Sequence, residues 1–175
     1  DLLDVGGEST RPGAAPLPAD DERARVLPVL ARLASRVRVP VSVDTYKAEV
    51  AREAIDHGAA IINDVSSLRY DPDLAGVAAA ARVPLVLMHN RGRSREMYRE
   101  ARYDDVVGEI TGELAGTIDR AVAAGVGRER IVVDPGLGFS KRAPETFAAL
   151  ANLDALASLD RPVLVGPSRK SFLQD

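Results

Sequence analysis

Asp44, Asn63, Asp134 and Lys170 share a setting, each closing or closely following a short apolar run, in VSVD, IIND, IVVD and PVLVGPSRK. A carboxylate only accepts hydrogen bonds, an amide both accepts and donates, and a lysine only donates. Asn63 beside Asp64 is a pair able to read a polar heterocycle, and Lys170 is suited to the ring nitrogen or oxo group of a bound base. Each has a competing structural role: Asp44 and Thr45 as helix caps, Asn63-Asp64 as an Asx-turn, Lys170 as a solvated turn lysine. Scarcity singles out Lys170, because lysine occurs only at positions 47, 141 and 170 among 23 basic residues. Arginine is the ordinary surface cation of this chain.

Two loops carry more than a chain reversal requires. DVGGESTRPG crowds an acid, glycines, hydroxyls and Arg11 behind the first apolar run. In IVVDPGLGFSKR, Asp134 precedes a Pro-Gly turn, and Gly138 permits close backbone approach to a ligand. The third glycine of a dinucleotide fingerprint is missing and the Walker pattern fails, so a phosphate cradle is not expected there. RGRSREMYREAR interleaves five arginines with glutamates, the pattern of a solvated loop or mobile lid rather than a nucleic-acid patch. His57 is placed to meet helix-terminal carbonyls; His89 suits the site or the core equally. Two histidines and no cysteine leave no basis for a protein-only zinc site.

These residues need a scaffold that brings strand ends together. Six apolar runs (2–5, 39–43, 61–62 with Val65, 84–88, 131–133 and 162–165) alternate with helix-length segments at about 19–36, 47–57, 73–81, 103–124 and 144–157. The runs are continuous rather than alternating, as for strands covered on both faces. Asp20 and Asp104 are expected to cap helices, and His57-Gly58 and Ala124-Gly125 to end them. An open doubly wound sheet gathers chemistry at one switch point, whereas polar residues follow nearly every run here. A (β/α)8 TIM barrel, an α/β fold, accounts for that because its strand ends share one mouth. With six βα units in view, the expectation is a truncated barrel without its first and last strands. Residues 1–175 then form a single, incomplete domain, with residues expected upstream of Asp1.

At 46% hydrophobic residues the chain can bury a core, and a formal net charge of −3 gives no reason to expect nucleic acid as a partner. No apolar run approaches the roughly 20 residues of a membrane span. Absence of cysteine fits a reducing compartment, and the expected location is cytoplasmic.

Taken in order, DVGGESTRPG, SVDTYK, INDVSS, LVLMH, DPGLGFSK and GPSRKSF resemble the dihydropteroate synthase family across essentially the whole chain. The resemblance implies a transferase of folate biosynthesis that condenses 6-hydroxymethyl-7,8-dihydropterin pyrophosphate with 4-aminobenzoate, giving 7,8-dihydropteroate and pyrophosphate. It implies pterin contacts from Asp44, Asn63, Met88, Asp134, Phe139, Gly166 and Lys170, with Asp44, Arg11 and Lys170 in catalytic roles. Thr10, Arg11 and Pro12 match the loop that closes over aminobenzoate and pyrophosphate, and Ser171 matches a group near the aminobenzoate carboxylate. Mg²⁺ is implied through the substrate pyrophosphate and an Asn on a strand this chain lacks, and the implied assembly is a homodimer. Ser140 stands where the family often has Gly. Two alternatives stay open: a methyltetrahydrofolate:corrinoid methyltransferase, which has no need of ESTRPG or SRKSF, and a truncated barrel that binds pterin without turnover.

Overall fold

The computed structural model describes residues 1–99 and 101–173, with Ser171 described by its backbone alone. Strands β1 (Leu3–Gly6), β2 (Val41–Asp44), β3 (Ile61–Asp64), β4 (Leu85–Met88) and β5 (Ile131–Asp134) make one parallel sheet in chain order. Helices α1 (Ala19–Ala34), α2 (Ala48–Asp56), α3 (Leu74–Ala81) and α4 (Val106–Ala123) fill the crossovers, and α5 (Ala143–Ala151) follows β5. A doubly wound sheet reverses its strand order partway, whereas a barrel wall adds each strand beside the last. The order here is that of a barrel wall.

The pleat decides which residues meet. Val43, Ile62, Leu85, Leu87, Ile131 and Val133 are fully buried and pack in one core with Leu74, Ile110, Leu114 and Ile118 of the helices. Successive strand residues point to opposite faces. The register pairs Asp4 with Ser42, Asp44 with Asn63, and Met88 with Asp134, so these side chains share the other face, toward the barrel axis. The strand sequences are thus apolar outward and increasingly polar inward as they approach the mouth, rather than continuously apolar.

The expected sixth strand is reduced to one bridge, Val163 to Val133. Two hydrogen bonds hold it, Val133 N–H to Pro162 O at 2.9 Å and Leu164 N–H to Val133 O at 2.8 Å. Pro162 has no N–H to extend the ladder. Helix starts also shift: α1 follows Pro18, leaving Asp20 within its first turn, and Asp105 rather than Asp104 caps α4 by accepting from Gly108 N–H at 3.0 Å. The expected helix over 144–157 breaks at Asn152, whose φ and ψ of −123° and 39° leave the helical region, and continues as a 3-10 segment over Leu153–Leu159. His57 and Ala124 do end their helices.

Candidate functional site

On the β1–β3 side of the mouth, Asp4, Asp44 and Asn63 form a polar layer. Asp4 Oδ2 accepts from Asn63 Nδ2 at 3.0 Å, and its Oδ1 accepts from the Ser42 hydroxyl. Asp44 is half-buried; loss of solvent around its carboxyl, with the neighbouring charge of Asp4 next in weight, pushes it up to about 8. A Cβ at Gly6 would stand 3.2 Å from Asp44 Cβ and 3.3 Å from its Oδ2, so the glycine leaves room for that acid. Asp64, next to Asn63, points the other way. Its buried carboxylate accepts from Ser66 N–H at 2.7 Å and Leu68 N–H at 2.6 Å, so Asp64 fulfils the Asx-type role while Asn63 faces the mouth.

On the opposite side, the buried Asp134 accepts from Gly136 N–H at 2.7 Å, and burial raises its carboxyl against the opposing charges of Lys170 and Lys141. Gly136 has φ +64°, and a Cβ there would lie 2.0 Å from the His89 carbonyl, so only glycine fits this turn. Lys170 donates to Leu137 O at 2.5 Å and sits 4.5 Å above the Phe139 ring. Desolvation lowers its affinity for a proton. Met88, buried at the end of β4, pairs in register with Asp134.

Behind this side lies a network that the sequence did not disclose. Lys141 is 1% exposed; its Nζ meets His89 Nδ1 at 2.8 Å and donates to Phe139 O at 2.9 Å and Gly136 O at 3.1 Å. Burial draws its ammonium down to about 7, and burial draws the His89 imidazole down to about 4. His89 is therefore neutral, its Nδ1 accepting from Lys141 and its Nε2–H directed toward Glu113 Oε2, 3.2 Å away but poorly aligned. Arg91 is the better-aligned partner of Glu113, through Nε at 2.9 Å and a terminal nitrogen at 2.5 Å. Beside His89 and Arg91 the Glu113 carboxyl falls to about 2. Lys141 thus pins the loop after β5 to the exit of β4.

Loop residues 7–18 follow β1 at the same end of the sheet, but the hydrogen bonds and ion pair of Glu8 and Gly13 go to the segments after β2 and β4 rather than to the polar strand-end residues. Glu8 anchors the start of the loop, accepting from Tyr46 Oη at 2.8 Å and pairing with Lys47, which also pairs with the buried Glu22 of α1. The loop tip docks on the arginine-rich segment through Gly13 N–H to Ser94 O at 2.8 Å. A cavity of about 420 Å³ lies between the two, lined in part by Glu8, Tyr46, Tyr70 and Arg93. Arg11 and Pro12 are exposed and Thr10 is half-buried; among the described residues no side-chain hydrogen bond or ion pair ties Arg11 to the mouth. Open space surrounds the position a Cβ would take at Gly166. The side chain of Ser171 lies outside the described residues. Six of the expected residues therefore gather at the strand ends (Asp44, Asn63, Met88, Asp134, Phe139 and Lys170), and the loop residues do not. Asp4, Lys141 and Glu113 were missed. Lysine scarcity, used above for Lys170 alone, was the available signal for Lys141.

The sequence profile of the pterin binding enzyme family matches residues 1–175. The dihydropteroate synthase of Bacillus subtilis (strain 168) is 44% identical over 172 residues, 98% of this chain and 58% of that protein. That of Mycobacterium leprae is 47% identical over 173 residues, 98% of this chain and 61% of the relative. Among solved structures, Xanthomonas albilineans dihydropteroate synthase with 4-aminobenzoic acid superposes with a TM-score of 0.92 at 46% identity, covering 99% of this chain and 61% of that one. The Yersinia pestis enzyme in complex with a sulfonamide drug gives 0.94 at 43% identity, covering 98% and 62%. The chain thus spans roughly three-fifths of the length of these relatives. A barrel wall whose inner strand ends carry two acids, an amide and a lysine, matched by the profile from end to end, has one assignment: the chain belongs to the pterin binding enzyme family.

Proposed function

We propose that this chain carries the pterin-reading part of a dihydropteroate synthase, joining a dihydropterin pyrophosphate to 4-aminobenzoate. The observation that carries the reading is the placement of Asp44, Asn63 and Asp134 on the inner face at the ends of β2, β3 and β5, opposite the donor Lys170. Asp44 and Asp134 accept from ring N–H groups, and those hydrogen bonds return Asp44 to its carboxylate form because they favour the charged state. Lys170 donates to the ring nitrogen or oxo edge, and Met88 and Phe139 pack on the ring faces. As the carbon–oxygen bond to pyrophosphate breaks with its electron pair leaving on oxygen, the pterin becomes cationic and the two carboxylates stabilise it. The arylamine nitrogen then bonds to that carbon and gives up one proton. Arg11 meets the pyrophosphate oxygens when the 7–18 loop moves over the mouth, its planar fork matching them.

Mg²⁺ in this reading is a passenger of the pyrophosphate. Among the described residues no three His, Asp or Glu converge as a metal cage, and Mg²⁺ commonly retains several waters. Incubating the full-length protein with pterin pyrophosphate and 4-aminobenzoate should release pyrophosphate, and chelation should suppress that release. Methyl transfer to a corrinoid without pyrophosphate release would replace this function with the methyltransferase; calorimetric pterin binding without any turnover would replace it with a binding module.

A further inference from the structure

We propose that Asp4 is a positioning residue for ligand recognition, its carboxylate fixing the Asn63 amide in one orientation and so setting which heterocycle edge the mouth accepts. This rests on the pterin-reading role of Asn63 given above. Asp4 lies on β1 and Asn63 on β3, with β2 between them, so the contact bridges the inner face across an intervening strand. At that strand Ser42, the register partner of Asp4, donates to Asp4 Oδ1, while Oδ2 accepts from Asn63 Nδ2 at 3.0 Å. Both carboxylate oxygens are thereby engaged, one by a donor from β2 and the other by a donor from β3.

The chemistry of the pair fixes the direction of the amide. An ionised carboxylate only accepts, so it can be satisfied by the nitrogen of Asn63 and never by its oxygen. With one N–H committed to Asp4, Asn63 is left with its carbonyl oxygen and one N–H. An amide free to rotate by 180° would serve either an amino or an oxo substituent at the same place; one held by Asp4 distinguishes them. Sites built to hydrogen-bond a particular group discriminate against an analogue that lacks it; with Asp4 exposed on β1 and Asn63 half-buried, the discrimination here is of the order of one hydrogen bond. Asp4 therefore contributes discrimination without touching the ligand. Neither Asp44 nor Asp134 can do this, since a carboxylate presents the same acceptors whichever way it turns.

Calorimetry on the full-length protein with pterin (2-amino) and lumazine (2-oxo in its place) tests the assignment. Wild type should prefer pterin. Asp4→Asn is isosteric but neutral, and its amide can satisfy either end of Asn63; pterin affinity should fall about tenfold, as for loss of a hydrogen bond to a charged group, and the pterin-to-lumazine ratio should narrow. In an Asn63→Ala background, Asp4→Asn should change neither affinity more than about twofold, because Asp4 acts through Asn63. A ratio unchanged by Asp4→Asn, or the same loss in both backgrounds, overturns the proposal. Should Asp4→Asn fail to fold, Ser42→Ala frees Oδ1 and should narrow the ratio in the same Asn63-dependent way, and an unchanged ratio there overturns it equally. Wild-type protein that binds neither ligand overturns the pterin-reading function itself, which sets that failure apart from a failure of Asp4 alone.

Discussion

Burial and the charge of Asp4 push the Asp44 carboxyl to about 8, whereas an aspartate in an unfolded chain titrates near 3.9. A folded-state value above the unfolded one means that the contribution to stability is fully present below about pH 4 and is lost as pH rises through about 8. Asp44→Asn removes that loss. Scanning calorimetry should find the variant melting about 3 °C or more above the parent at pH 9, with the difference vanishing near pH 4. Pterin binding should meanwhile fall at least about a hundredfold, because one amide face donates where the ring also donates. An equal or lower melting temperature at pH 9 would show that repulsion and burial do not strain this site. Lys141 invites a separate test. Lys141→Met leaves the carbonyl of Phe139 without its donor, at about 1–3 kcal/mol for the unsatisfied group, whereas the Gly136 carbonyl keeps the Phe139 N–H at 3.0 Å. Urea unfolding should register a loss of that order, and an unaltered midpoint would mean water replaces the ammonium. Strand-end residue types were legible from sequence because polar groups after apolar runs stand out. Burial of Lys141 was not, since its acceptors come from residues 89, 136 and 139 and converge only once β4 and β5 are paired.

Elements here are tied by side chains that reach across sequence. Ala48 N–H, at the start of α2, is satisfied by Asp71 Oδ2 at 2.7 Å from the next βα loop, and Thr45, one of the two local caps the sequence offered as an alternative role, accepts from Lys47 N–H at 3.2 Å. Lys47 joins Glu8 of the 7–18 loop to Glu22 of α1, whose side chain is only 1% exposed. Removing one partner of a buried pair leaves the other charge uncompensated and typically costs about 3–5 kcal/mol. Lys47→Met should therefore lower unfolding free energy by roughly that amount, and Glu22→Gln in the same chain should recover part of it. No recovery in the double variant would place the loss in packing rather than charge. Five strands and five helices were readable in the runs and their spacing. The sixth run was overread, because hydrophobicity makes a strand only where a partner offers a ladder, and Val163 has one bridge. Helix starts slipped by a residue or so for a related reason: Asp20, Asp104 and Asp105 are alike locally, and the fold chooses among them.

For the molecule as a whole, strand order equal to chain order bends every loop that follows a strand to one end, which is how residues from position 4 to position 170 come to share a mouth. The same order gives the sheet two outer edges. Among the described residues β1 pairs only with β2, and beyond β5 there is the single bridge at Val163. Apolar side chains collect near both: Leu2 and Leu3 are 40% and 38% exposed at one edge, Val163 37% at the other. An unpaired edge with exposed apolar residues is a template for another chain, and closure into a barrel is what removes it. Residues 1–175 expressed by themselves should therefore self-associate, whereas a chain of the relatives' full length should not do so through these edges. Sedimentation velocity across about 5–200 μM should show the weight-average mass of the segment rising with concentration, since association follows mass action. Leu3→Lys, placing a charge on the β1 edge, should reduce that rise, as edge lysines do in natural sheets. A segment that stays monomeric throughout, with the Leu3→Lys variant indistinguishable from it, would mean that the two edges are protected by the chain itself.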